Sequence, residues 1–400
     1  MDHHPGDQRG IDLGGGDVTY ADGHGPGGQG VSRGSPGERG RRTGWTTGAC
    51  AAAAARAATL GLCTGVIPNE VTTRLPNGWE VTFAVVDGVD DGDGVRAAVI
   101  KDAGDDPDCT HGAHLVARVR KRPHQAGIIT IEPGQGVGRV TRPGLGLEVG
   151  LGAINPVPRE NIIANVAAAA GDWLLTHGLE VTISVPGGES LALKTLNPRL
   201  GILGGISILG TTGVVYPYST SAFKAAVVQA IGGAVAAGRD TIALTTGRRT
   251  ERFAMQHLPY WPEWSFIQMG DFVGAALDSA VYHGVRQVVV VAMGGKLAKM
   301  AQGIANTHAH KTALDLNRVA QWARNAGAAP DLVAGIARGG TVRFAVEQMT
   351  AVGLETEFYR ELALGALDGI GPWLRGDLRA TVLALDFTGG LKAWAGAAWS

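Results

Sequence analysis

The sequence predicts an α/β protein: an α+β N-terminal domain followed by a mostly parallel, Rossmann-like α/β C-terminal domain. Three observations carry this. Strand-like and helix-like runs alternate from about residue 220 to 300, the order that builds parallel sheets. Before residue 190, strand-like runs cluster together, and Pro76-Asn-Gly78 marks a hairpin turn between two of them. Between the two regions, NPRLGILGGISILGTTGVVYPYSTSAFK (197–224) has no charged side chain from Gly201 to Phe223. Its short apolar runs end in glycines, as in a buried strand feeding a loop that lets a ligand or another backbone come close.

Composition bounds the rest. The 400 residues allow two or three domains, and a formal net charge of −1 gives no global nucleic-acid or membrane signature. Cys50, Cys63 and Cys109 are an odd, widely spaced set, which suits reduced thiols better than a disulfide framework or a zinc site. No run approaches the ~20 apolar residues of a membrane span. The opening MDHHPGDQRG lacks the order of a signal peptide, so a soluble cytoplasmic protein is expected. Residues 1–42 are rich in Gly, Asp and Arg and read as a disordered tail. Residues 43–196 form the first expected domain and 197–400 the second.

In chain order, TGWTTGACAAAAARAATLG opens the ordered region. Thr46, Thr47 and Gly48 supply helix-capping groups, the alanine run predicts a helix over about 49–60, and Gly61 is its expected stop. Strands follow at 71–75, 79–86 and 95–100. VIKDAGDDPDCTHGAH then crowds Asp102, Asp105, Asp106, Asp108 and His111 into one loop. Such a loop could bind a divalent cation, supply an acid–base group, or be a solvated turn. A strand at 127–132 leads to Gly134, Gly136 and Gly138. This triplet matches a dinucleotide fingerprint only superficially, because Pro143 opposes the helix that such a turn requires. It reads as a mobile loop offering Arg139 and Arg142. A helix at about 159–177 and a strand at 179–186 complete the first domain.

The second domain reads as strand 201–209, helix 221–238, strand 241–246 ending in TTGRR, a Trp-rich connection, a helix to Tyr282, and strand 287–292 ending in MGGK. Ligands of such sheets lie beyond the carboxyl ends of the strands. That rule predicts one cofactor rim from Gly204, Gly205, Gly210, Thr211, Thr212, Gly213, Thr246, Gly247, Gly294 and Gly295. Lys296 and Lys299 share a helix face, with Asn306, Thr307, His308 and His310 beyond. Two histidines are weak evidence for a protein-bound metal, and none is expected.

Together TGWTTGACAAAAARAA, VIKDAGDDPDCTHGAH, GQGVGRVTRPGLGLEVGLGAINPVPRE, LNPRLGILGGISILGTTG and GGKLAKMAQGIANTHAHK resemble the CbiD family, cobalt-precorrin-5B C1-methyltransferases of anaerobic cobalamin biosynthesis. The resemblance runs from about Thr43 to just past His310 and leaves only a weak imprint on the last eighty or so residues. It implies methyl transfer from S-adenosylmethionine to C1 of a tetrapyrrole that carries the cobalt itself. No covalent nucleophile is required. Asp102, Asp105, His111 and His308 are candidates for a base, unranked. Arg139, Arg142, Arg199, Lys296 and Lys299 are candidates to bind the substrate's carboxylates, with Thr46, Thr47, Asn197, Asn306 and His310 as polar partners. A small-molecule tetrapyrrole is the one partner implied, with neither nucleic acid nor membrane, and a homo-oligomer is left open. The alternatives are a nucleotide-binding enzyme of another class, against which the missing GxxxxGK[ST] motif counts, and a non-catalytic tetrapyrrole carrier.

Overall fold

Thr46 decides where the first helix begins. In the computed structural model, which describes residues 42–308 and 313–398, its hydroxyl accepts from the Ala49 N–H at 3.1 Å and caps α1 (Thr47–Thr64). The helix stops at Gly65, which adopts the left-handed conformation. The expected stop, Gly61, lies inside α1, where lack of a side chain lets Ile67 and Val95 press against it. Small side chains make α1 thin enough to be buried on nearly every side, between the first sheet and α2 (Pro156–Ala170).

The short β1 (Gly44–Trp45) precedes α1. After it come the hairpin β2 (Glu70–Arg74) and β3 (Glu80–Ala84), then β4 (Val86–Asp90), β5 (Val95–Ile100) and β6 (His114–Pro123). β7 (Ile129–Pro133), β8 (Arg139–Val140) and, beyond α2, β9 (His177–Ser184) follow. The first sheet has the order β4-β5-β6-β9-β7, antiparallel except for the β7–β9 pair. Alternate residues point to α1: Val95, Ala97 and Val99 from β5, Leu115, Ala117 and Val119 from β6, and Leu179, Val181 and Ile183 from β9.

Residues 188–215 run through α3 (Gly188–Ala192), α4 (Asn197–Leu200), β10 (Ile202–Leu203) and β11 (Val214–Val215). The expected long strand over 201–209 shrinks to β10, which pairs antiparallel with β8, plus single bridges from Ile206 to Val137 and Ile208 to Ile154. β11 pairs with β1. The glycine-rich stretch therefore packs on the first half of the chain and adds no strand to the second sheet.

That sheet is built from α5 (Thr220–Ala236), β12 (Thr241–Thr245), α6 (Arg248–His257), β13 (Phe266–Gln268), α7 (Val273–Tyr282), β14 (Gln287–Met293) and α8 (Gly294–Met300). α9 (Leu316–Asn325), α10 (Pro330–Arg338), α11 (Val342–Ala351) and α12 (Glu355–Ile370) precede β15 (Arg379–Leu385) and β16 (Leu391–Gly396). The order is β13-β12-β14-β15-β16, parallel through β15, with β16 antiparallel at the edge. Residues Val288–Ala292 of β14 are buried on both faces, as its run of valines implies for a central parallel strand. The fold class is thus α/β, with an antiparallel-rich first half and a mostly parallel second. The expected tail at 1–42 falls, except for Arg42, outside the described residues.

Candidate functional site

Parallel pairing brings the carboxyl ends of β12, β13, β14 and β15 to one edge. Thr246-Gly247, Met269-Gly270-Asp271, Gly294-Gly295 and Asp386 follow those strands directly. The register sets Thr245 beside Val291 and Met293 beside Leu385, so Gly294 is flanked by the Gly247 and Asp386 turns. Gly247 and Gly295 have open space where a side chain would stand. The Thr246 hydroxyl lies 3.0 Å from that of Thr250.

Lys296, in the first turn of α8, ion-pairs with Asp271 and donates to the Thr307 carbonyl at 2.9 Å. Thr307 returns a 3.2 Å hydrogen bond to Asp271. One helical turn on, Lys299 donates to the His308 carbonyl at 2.9 Å, and Asn306 Oδ1 accepts from the His308 N–H at 3.2 Å. Burial and then the neighbouring Lys296 hold the Lys299 ammonium below its usual pKa. The predicted face shared by Lys296 and Lys299 is therefore real, and it pins the 303–308 segment over the strand ends. His310 lies outside the described residues. Asp271 was missed by sequence reasoning, although a Gly-Asp pair directly after a strand-like FIQ run was the available signal.

Asp386 closes the β15 end of this edge. Its Oδ1 accepts from the Thr388 N–H, the Thr388 hydroxyl and the Gly390 N–H at 2.8, 2.7 and 2.8 Å, and Lys392 lies 3.3 Å from Oδ2. Burial opposes ionisation, but these donors outweigh it and pull the carboxyl down to about 2. Its pKa is lower folded than unfolded, so its contribution is full above about pH 4 and is lost as pH falls through 2. The term is about 1–2 kcal/mol once solvent screening is allowed for. Asp386→Asn is expected to flatten the pH 2–4 limb of the stability profile in acid melts. An unchanged limb would show that Asp386 does not supply it.

The other expected cofactor residues are elsewhere. Gly205 presses its backbone on Gly136, Gly210 packs on Thr46, and Gly213 on Leu75 and Pro76. The Thr212 hydroxyl bonds with its own turn at Val214, while Gly204 and Thr211 are exposed on either side of the buried residues 205–208. Gly204–Gly213 packs on the first half of the chain and adds no strand to the parallel sheet, whereas Thr246, Gly247, Gly294 and Gly295 directly follow its strands. Of the glycines at 204–213, Gly205 meets another backbone, Gly210 and Gly213 meet side chains, and Gly204 faces open space.

The fold also occupies several expected substrate groups. Thr47 Oγ1 donates toward the Ser207 carbonyl at 3.1 Å and accepts from the Leu209 N–H at 2.9 Å. Asn197 donates to the Gly205 carbonyl at 3.0 Å. Arg199 pairs with buried Glu251 at 2.6 Å and donates to the Phe266 carbonyl at 2.6 Å, tying the two halves together. Gly134–Gly138 is a packed crossing, not a mobile loop: Gly136 lies against Val185 and Gly138 against Ile202. Arg139 is exposed and reaches the Gly150 carbonyl at 3.1 Å.

The acidic loop is a knot of ion pairs. Lys101, only 1% exposed, holds Asp108 at 2.7 Å. Arg42 pairs with Asp102, and its own N–H donates to Asp105 at 2.9 Å. Burial disfavours the Asp102 anion, but the Arg42 and Gly104 donors prevail and hold it below the usual carboxylate range. His111 Nδ1 accepts from the Ala103 N–H at 3.1 Å. Among the described residues no three His, Cys, Asp or Glu side chains are grouped to hold a metal, and no helix is long and apolar enough to cross a membrane.

A mostly parallel sheet with helices between its strands defines an α/β protein of the architecture whose ligands lie beyond the carboxyl ends of the strands. The chain belongs to the CbiD family: the CbiD family model matches residues 35–217, and that of the CbiD C-terminal domain matches 306–396. It is 56% identical over 354 residues to a cobalt-precorrin-5B C(1)-methyltransferase of Dechloromonas aromatica (strain RCB), covering 88% of this chain and 90% of that one. A protein of the same name from Polaromonas naphthalenivorans (strain CJ2) is 53% identical, over 88% of this chain and 96% of that one. A 1.9 Å crystal structure of the cobalamin biosynthesis protein (cbiD) from Archaeoglobus fulgidus is 30% identical, with a TM-score of 0.37, covering 65% of this chain and 79% of that chain.

Proposed function

We infer that this protein is an S-adenosylmethionine-dependent C-methyltransferase that methylates C1 of cobalt-precorrin-5B, giving cobalt-precorrin-6A. The observation that carries the reading is the 56% identity to a relative so named, spanning 90% of that relative. Under this reading the methyl donor lies over the strand ends at Thr246-Gly247 and Gly294-Gly295, where the backbone is open to an incoming ligand. Lys296, clamped by Asp271, shapes one side.

The chemistry asks little of the side chains beyond alignment. C1 attacks the sulfonium methyl carbon, the carbon–sulfur bond breaks, and its electron pair returns to sulfur as the thioether of S-adenosylhomocysteine. The transferred methyl cation adds one positive charge to the ring, and from a neutral ring loss of a proton restores neutrality. Holding sulfur, methyl and C1 in line can supply several kcal/mol of the catalysis. Among the four candidate bases, Asp102 and Asp105 are engaged by Arg42, and His111 Nδ1 by a backbone N–H. His308, held beside Lys299, is the one on the strand-end side. Cobalt belongs to the substrate.

The test is anaerobic incubation with cobalt-precorrin-5B and S-adenosylmethionine. A product heavier by one methyl group, formed with equimolar S-adenosylhomocysteine, is expected. No methylated product from folded protein would refute the reading.

A further inference from the structure

Away from the strand ends, a cavity of about 110 Å³ lies where Arg142 and α4 meet α5 and the β13 edge. Its walls are apolar, formed by Leu196, Leu200, Phe223, Val227, Ala230 and Ile267. Polar groups also line it: Arg142, Arg199 and Gln268. Glu251 neutralises Arg199 at 2.6 Å and takes the Gln268 amide at 2.6 Å on its other oxygen. Arg142 differs. Its guanidinium lies 4.0 Å from the centre of the Trp264 ring and donates to the Arg199 carbonyl at 3.3 Å, and no carboxylate pairs with it among the described residues. The Trp264 indole N–H is buried without an acceptor. The cavity thus joins an apolar bore to an uncompensated cation and an unused donor, which suits a short apolar stem ending in an anion.

We propose that this cavity is the subsite for one carboxylate arm, acetate or propionate, of the tetrapyrrole acceptor, with Arg142 taking the carboxylate. The proposal rests on the methyltransferase reading. Size favours an arm over the whole ring, because pockets for complete small molecules run to roughly 300–1,000 Å³. The methylene stem fills the bore, and the macrocycle rests on Phe223 and Leu196, which are 44% and 38% exposed. Phe223 also touches the donor side. Its ring packs against Phe272, centroids 5.4 Å apart and planes tilted by 38°, next to Asp271, and lies against Gly270. A ring seated there lies beside the strand ends where the methyl would be presented.

Cobyrinic acid, a corrin with free carboxylate arms, and its heptamethyl ester are the probes, with binding measured by equilibrium dialysis and read from corrin absorbance. The wild type is expected to bind the acid more tightly than the ester. Arg142→Gln should weaken the acid at least tenfold and leave the ester and S-adenosylhomocysteine unchanged, and Arg142→Lys should recover part of the loss. Wild-type affinity for the acid in Arg142→Gln, with an unchanged melting profile, overturns the subsite and leaves the function standing. Absence of methyl transfer by the wild type overturns the function itself. If Phe223→Ser dissociates a wild-type dimer in sedimentation without altering corrin affinity, that face belongs to a second copy and the subsite is again overturned.

Discussion

Gly205→Ala is expected to cost at least ~3 kcal/mol of stability, the top of the usual range for overpacking, because the clash is with backbone. A Cβ at 205 would collide with the Gly136 carbonyl and reach 2.6 Å from the Gly138 nitrogen. No side chain stands between them to swing away. The crossing is also locked on both sides: the Ile206 N–H donates to the Gly136 carbonyl at 3.0 Å, and the Gly138 N–H donates to the Ile206 carbonyl at 2.9 Å. Separating the strands to admit a methyl group would strain both bonds. Gly204→Ala is the control. Gly204 has open space but a φ of +78°, so alanine there meets only backbone strain of roughly 1–2 kcal/mol. Urea melts of the two variants measure the difference, and a Gly205→Ala midpoint at or above that of Gly204→Ala would contradict the backbone contact.

Residue 205 also shows where the sequence stops being legible. A glycine run signals close approach, but the approaching group comes from elsewhere in the chain; here it is Gly136, some seventy residues away. Local signals read well for the same reason. The Thr46 cap, the turn at Pro76–Gly78 and the valine run of β14 depend on neighbours within a few positions. β6 was legible too, through its alternation of Leu115, Ala117 and Val119, but the acidic loop before it drew the interpretation. That loop looked reactive because its cation partners, Arg42 and Lys101, act through ion pairs that spacing does not reveal. Of the expected rim, the pieces at β12 and β14 meet because these strands pair directly and in parallel, which sets their carboxyl ends side by side. Asp271 joins them through an ion pair with Lys296. The stacking of Arg142 on Trp264 couples the two halves and leaves no trace in either local sequence.

Gly295→Leu is expected to separate function from stability. Gly295 lies in the first turn of α8 with nothing within 4 Å of a built Cβ, and its φ is not positive. A Cβ there meets no neighbour and no left-handed strain, position 295 is exposed, and removing a helical glycine stabilises by up to ~1 kcal/mol. A thermal melt should therefore match or exceed the wild type. The open space at 295 is nevertheless the space assigned to the methyl donor, and an isobutyl group would fill it. S-adenosylhomocysteine affinity, measured by calorimetry, is expected to fall at least tenfold while affinity for cobyrinic acid at the Arg142 cavity is retained. Unchanged S-adenosylhomocysteine affinity would remove the donor from the β14 end of the sheet. Joint loss of both ligands from a folded variant would mean that donor and acceptor share one pocket, against their separation into a strand-end site and a junction cavity. The contrast with Gly205 is physical: backbone fills the space beside Gly205, whereas the space beside Gly295 is open and is where the proposed methyl donor would lie.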